Sequence, residues 1–235
     1  SEITRFPIAI SAATSEEIRK LAARHGVSVR TVFVAAHVLA VAVASGQNDV
    51  LTGVIANARP ETADADRLIG VFLNTLPLRV HTDDRSVSEL IAEVHKWDAR
   101  VAPHRYVPFG ILERDLRGDI HLGDLPTYVN FMDFRRADYR DGPVRMNDVR
   151  AVADTNFPAA VDFLITDDAE FTGWIDGNLG VFSADELSRL AVLHERALEA
   201  LTTVDGAVPV RSIDLLDADE ITELTGPTIR LAPSE

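Results

Sequence analysis

The chain of 235 residues carries 23 basic and 37 acidic side chains, a formal net charge of −14 and no cysteine. That acidic excess argues against a protein that wraps nucleic acid or lies on an anionic membrane, and the missing thiol excludes disulfides, thiolate catalysis and any cysteine-ligated zinc or iron–sulfur centre. With 46% apolar and 26% charged residues the composition is globular, and the length suits one large domain or two small ones.

Arg5-Phe6-Pro7-Ile8-Ala9-Ile10 reads as a short strand, and Pro7, which has no N–H to give a neighbour, places it toward a sheet edge. Ser15 followed by Glu16 and Glu17, with Ile18, Leu21 and Ala22 on one stripe, marks a helix start; the helix stops near Gly26. Ser28 opens a second helix over residues 31–44, apolar nearly all round and therefore buried, with Gly46 as its stop. Its apolar run is interrupted by His37 and is far short of the roughly 20 residues that span a bilayer, so a cytoplasmic location is expected. Residues 49–57 read as a buried strand and 74–81 as another, with Leu76, Leu78 and Val80 on one face. Helical spacing returns over 86–102, where Leu90, Ile91, Val94 and Trp97 share a stripe. Strands are expected at 128–134, 159–165 and 171–175, and an amphipathic helix over 183–201 whose first turn carries Asp185 and Glu186 against the helix dipole. Strands and helices mixed along one chain make an α/β or α+β domain. After Pro209 the sequence turns short and polar, as in a linker; the division expected is a domain at 1–210 and a linker at 211–235.

Several chemistries have no motif here: there is no phosphate-binding Gly-x-x-x-x-Gly-Lys, no Gly-x-Gly-x-x-Gly and no Gly-x-Ser-x-Gly elbow. His194-Glu195 fails as a zinc helix because Leu198 stands where the second histidine belongs, and it reads as part of a surface helix. Asp83-Asp84 and Asp167-Asp168 fall between strand-like runs and read as turns. His37, among Ala, Val and Leu, reads as a neutral core histidine with a hydrogen bond, and Trp97 and Trp174 as core or rim residues.

One stretch is specific. Ile69-Gly70-Val71-Phe72-Leu73-Asn74-Thr75-Leu76-Pro77-Leu78-Arg79 resembles the Ile/Val-Gly-x-Phe-Val-Asn-Thr-x-x-x-Arg signature of condensation domains of non-ribosomal peptide synthetases. Ser45-Gly46-Gln47-Asn48-Asp49-Val50, with Gly53 and Arg59, resembles the strand before it. His104-Arg105-Tyr106-Val107-Pro108-Phe109 resembles the family's His-Gln-Asp-x-Pro-Phe-Glu with the Gln-Asp pair replaced and Gly110 in the last place. Phe131-Met132-Asp133-Phe134, Val161-Asp162-Phe163 and Gly173-Trp174-Ile175-Asp176-Gly177-Asn178 continue the order. The family's catalytic His-His-x-x-x-Asp-Gly has no counterpart, since no two histidines are adjacent.

The resemblance implies a chloramphenicol-acetyltransferase-like lobe, a mixed sheet flanked by helices, and only the second of the two lobes that enclose the family's reaction tunnel. The start at Ser1 rather than Met fits an initiator removed or a piece of a longer synthetase, and the closing residues 212–220 resemble the family's exit toward a following domain. Implied partners are the N-terminal lobe, acyl or peptidyl carrier proteins and that downstream domain. The chain itself binds no cofactor; phosphopantetheine arms come on the carriers. The resemblance places Asn74, Thr75, Gly70, Asn57 and Arg59 at the tunnel, Gly70 as a tight turn, and Arg79 as a brace. For Asn74-Thr75 a loop-pinning role stands beside the tunnel role. Arg135 and Arg136 are the candidate contact for acidic carriers. A degenerate docking domain, an epimerisation or cyclisation subtype, and a carrier-independent acyltransferase of the same superfamily are the alternatives.

Overall fold

The computed structural model describes residues 3–115, 125–133, 157–166 and 169–225. In chain order the elements are β1 (Ile3–Ile8), α1 (Ala12–His25), α2 (Val29–Ser45), β2 (Asp49–Asn57), β3 (Leu73–His81), α3 (Val87–Val101), α4 (Phe109–Asp115), β4 (Thr127–Met132), β5 (Ala159–Ile165), β6 (Phe171–Asn178), α5 (Ala184–Thr203) and α6 (Ala218–Thr225). The strands make one mixed sheet in the order β1-β6-β5-β4-β2-β3. β2 runs parallel to β4 and β4 parallel to β5, while the outer pairings are antiparallel.

Helix ends follow local chemistry. The Ser28, Ser86 and Ser183 side chains cap α2, α3 and α5, the last two in reciprocal boxes with Glu89 and Glu186. Gly26 and Gly46 end α1 and α2 at φ +63° and +64°, a left-handed conformation that side chains with a Cβ disfavour. The start of α1 differs from the sequence expectation: Ser11 Oγ accepts the Thr14 N–H at 3.0 Å. Ser15 lies a turn inside, buried, where its Oγ accepts the Phe171 N–H at 3.1 Å and ties α1 to β6. β6 also runs past Ile175, because Asp176, Gly177 and Asn178 all pair with β1. β1, with Pro7 in it, is an edge strand.

α2 lies buried between the sheet and its neighbours α1, α3 and α5, which explains its all-round apolar surface. Phe33 is fully buried and meets Phe131, Phe163 and Phe171 at ring-centroid distances of 5.1, 4.5 and 5.0 Å. No single described helix is long and apolar enough to cross a membrane; α1 and α2 together reach that composition but are bent by 105°. Beyond Pro209 the chain stays on the domain. Val210 and Leu215 are buried, and Arg196 donates to the Leu215 carbonyl at 2.7 Å while pairing with Glu220 and Asp217. The expected linker is thus packed as far as Glu220. Asp167-Asp168 lie outside the described residues.

His194 is not on a surface. It is fully buried on the inner face of α5, its Nε2 2.9 Å from His37 Nδ1, and His37 Nε2 is 2.8 Å from Thr52 Oγ1. Leu198, one turn on, is buried beside it, so the His194-Glu195 stretch is the polar notch of a core-facing stripe. Burial pushes both imidazoles below the ordinary 6.5, His194 to about 4 and His37 well below as its neighbour adds to the effect. In the unfolded chain each takes up a proton near 6.5, so the unfolded state binds more protons below that value and stability rises with pH there. The melting temperature is therefore expected to fall as pH drops from 6.5 toward about 4. A thermal melt that is flat over this window would contradict the neutral buried pair.

Candidate functional site

β2 and β4 meet in parallel register only at Gly53 with Tyr128 and Val54 with Val129. Past those residues both strands run on, β2 to Asn57 and β4 to Met132, and they part. The gap between diverging carboxyl ends of parallel strands is the usual place for a ligand in an open sheet. Here it is a cleft of about 790 Å³ whose walls include Ile55, Ala56 and Asn57 from β2 and Asn130, Phe131 and Met132 from β4.

The loop after β2 folds back across the cleft mouth. The Ala58 N–H donates to the Phe72 carbonyl at 2.6 Å, and the Arg59 guanidinium stacks 4.3 Å over the Phe72 ring while donating to the Ala65 and Leu68 carbonyls at 2.7 and 2.8 Å. Asn57 Oδ1 accepts the Arg59 N–H at 2.9 Å. Arg59 therefore shapes the loop. Gly70 lines the cleft, but its φ is not positive and an added Cβ would sit 3.5 Å from Phe72, an ordinary contact; no tight turn requires glycine there.

The opposite wall comes from the end of α3 and the residues after it. Arg30, at the start of α2, pairs with Asp98 at 2.6 Å and donates to the Ile55 carbonyl at 3.1 Å, closing the cleft floor. Arg105 pairs with Glu61 of the loop after β2 and donates to the Tyr106 hydroxyl at 2.7 Å. Its Nε is buried in the wall with no hydrogen-bond partner among the described residues. Behind β4, Asn130 donates to Asp162 at 2.9 Å; burial and the nearby Asp176 raise the Asp162 carboxyl above its ordinary value, against the Asn130 bond and Arg5.

The cleft thus brings together Asn57, Arg59 and Gly70 of the residues expected at a site. Asn74 and Thr75 stand beside it on β3. Asn74 Nδ2 donates to the Arg105 and Val107 carbonyls at 2.9 and 2.7 Å, and its Oδ1 accepts the Thr75 N–H at 3.0 Å. Both amide protons are engaged in holding residues 105–107 against β3. Thr75 presents its methyl toward Gly53, where an added Cβ would lie 2.7 Å from it; glycine is needed for that close approach. Arg79 pairs with Asp49 across β2 and β3 at 2.6 Å. Arg135 and Arg136 lie outside the described residues. Arg30 and Asn130 carry no signal in the sequence, since each is an ordinary polar residue until the fold sets it at the gap. Arg105 did carry a signal, the replacement of a motif glutamine.

Comparison with known proteins gives one family. The condensation-domain model matches residues 2–225. AMB antimetabolite synthetase AmbE of Pseudomonas aeruginosa is 34% identical over 196 residues, 82% of this chain and 9% of that protein. Among solved structures, the condensation domain of the Monacolin K polyketide synthase MokA superposes with a TM-score of 0.78 at 15% identity, covering 89% of this chain and 49% of that one. The X-domain from teicoplanin biosynthesis superposes at 0.75 with 17% identity, covering 92% and 50%. The chain therefore spans a small part of its curated relative and about half of each of these structures.

Proposed function

This chain belongs to the condensation-domain family of non-ribosomal peptide synthetases, and on that premise we propose that it forms one wall of a two-lobed tunnel in which an amine on one carrier protein is joined to an acyl or peptidyl thioester on another. The observation that carries the reading is the apolar rim of the cleft. Ile69, Val71 and Leu73 are 102%, 90% and 63% exposed, and they lie in the stretch that resembles the family signature. Three aliphatic side chains held out in water by a braced loop are a surface made for another protein body. That the chain matches about half of each condensation-domain structure supports a preceding lobe as that body.

In the proposed reaction the amine nitrogen attacks the thioester carbonyl. The C–N bond forms, the C–S bond breaks, and the pantetheine sulfur leaves with a proton in place of the one the amine loses. The gain comes from holding two tethered reactants together. This chain's part is the wall: Asn57 and Gly70 at the lining, Arg59 shaping the loop, and Asn74 and Thr75 fixing the strand behind it. The histidine that would handle the amine proton is absent from this sequence. Arg135 and Arg136 are the proposed contact for an acidic carrier, and the tail on Arg196 leads toward a downstream domain.

The isolated chain is expected to form no amide from loaded donor and acceptor carriers, and the chain joined to its preceding lobe is expected to do so. Product from the isolated chain above the uncatalysed rate would sink the proposal. A second reading, a docking domain that has lost catalysis, is favoured by the replacement of Gln-Asp with Arg105-Tyr106. An intact double-histidine motif in the preceding lobe separates the two readings in favour of catalysis.

A further inference from the structure

The sheet has one thin seam. β2 and β3 share nine register pairs and β5 and β6 seven, but β2 and β4 share two, and the cleft opens directly beyond them. Immediately before that seam, on the helix side of the sheet, Thr52 of β2 and Thr127 of β4 place their hydroxyls 3.1 Å apart, and Thr52 Oγ1 lies 3.1 Å from the Thr127 carbonyl oxygen. Both hydroxyls face His37 Nε2, at 2.8 and 3.3 Å. We infer that Thr52, Thr127, His37 and His194 form one proton-ordered brace that holds β2 to β4 beneath the cleft and so sets how far its two walls stand apart.

The proton order follows from the partners. The Leu190 carbonyl, 2.7 Å from His194 Nδ1, can only accept, so that nitrogen carries the hydrogen and His194 Nε2 accepts from His37 Nδ1. His37 Nε2 is then an acceptor: the Thr52 hydroxyl, at 2.8 Å, gives it its one proton, and the Thr127 hydroxyl donates to Thr52 Oγ1 at 3.1 Å. A chain of hydrogen bonds runs from the backbone of α5 through α2 into both strands of the seam. Among the described residues, the groups facing the two imidazoles are each other, Thr52 of β2, Thr127 of β4 and the Leu190 carbonyl of α5, with the Phe163 ring of β5 against His194 at 6.2 Å, and no carboxylate there acts on either ring. A proton added to either ring is therefore a buried charge without a counter-charge, which the brace has no means to hold. These are positioning residues: none of the four lines the cleft.

The test is Thr52→Val in the full chain, which keeps the shape of the side chain and removes its hydroxyl. Amide exchange protection across β2 and β4 at Gly53, Val54 and Val129 is expected to fall about tenfold, the equivalent of one hydrogen bond, while that of Val161 and Ile175 in β5 and β6 holds. Protection that is unchanged, or that falls equally in every strand, would overturn the brace. If Thr52→Val fails to fold, Thr127→Val carries the same expectation at the outer hydroxyl. Nitrogen-15 spectra of the unsubstituted chain at neutral pH give an independent readout: both His37 and His194 are expected to carry hydrogen on Nδ1, and Nε2–H on either would also overturn it. Only the consequence for turnover rests on the amide-forming reading. In the two-lobe protein Thr52→Val is expected to raise KM more than it lowers kcat, and an inactive parent protein would refute that reading while leaving the exchange result to stand.

Discussion

Asn74→Ala in the two-lobe protein is expected to lower amide-forming turnover about a hundredfold, the order of loss that follows when a wall group shifts by about an ångström. The side chain's two protons are spent on the Arg105 and Val107 carbonyls, so its removal frees residues 105–107 from β3 and leaves those acceptors without partners. A loss of about 2 kcal/mol in stability should accompany it, from two hydrogen bonds worth roughly 1 kcal/mol each. The mechanism is indirect: the loop carries Arg105, which lines the cleft and pairs with Glu61 of the loop after β2. Asn74→Asp should behave no better, because it sets a carboxylate against two carbonyl oxygens. Thermal melts and steady-state rates on the same preparations decide the point. Lost turnover with an unchanged melting temperature would mean that Asn74 meets the substrate itself.

Phe33→Ala is expected to cost about 3–5 kcal/mol, the range for emptying a buried aromatic site. The ring sits on α2 with no solvent exposure, and it contacts rings from three strands, Phe131, Phe163 and Phe171. Domains of ordinary stability hold roughly 5–15 kcal/mol in total, so this one truncation removes much of the margin. Urea unfolding of the two chains gives the difference directly; a change under about 1 kcal/mol would show that the aromatic cluster is not a keystone of the core. Phe131 lies at once in this cluster and in the cleft wall, so a loosened core should also widen the site.

Much of the fold was legible along the chain. The Asp49–Asn57 and Ala159–Ile165 strands stand at their expected bounds, and α2, α3 and α5 begin next to the expected serines. Caps and hydrophobic periods are local, and nearby residues decide them. The misplaced boundaries are those that pairing decided. Asp176-Gly177-Asn178 has the composition of a turn but lies along β1, and Ser15 has the chemistry of a cap but accepts a bond from β6. His194 was misread for the same reason: its neighbours Glu195 and Arg196 are polar, and only the packing of α5 on α2 shows that its own stripe faces His37.

The family signature was likewise legible, because residues 69–79 keep their order and spacing in one continuous stretch. What those residues do was not. Arg59 and Asn74 hold loops through backbone carbonyls, and no sequence pattern announces which carbonyl will come within 3 Å of a side chain. The cleft itself is a property of topology: it exists because β2 and β4, seventy residues apart, run parallel for two residue pairs and then diverge. The sequence by itself determined most of the elements, the caps of α2, α3 and α5, the acidic, cysteine-free composition and the family, all of which depend on near neighbours or on composition. Tertiary structure alone decided where the strands part, which rim stays apolar and exposed, and that two histidines far apart in the chain close one buried hydrogen-bonded line, because each depends on contacts whose sequence separation no local period encodes.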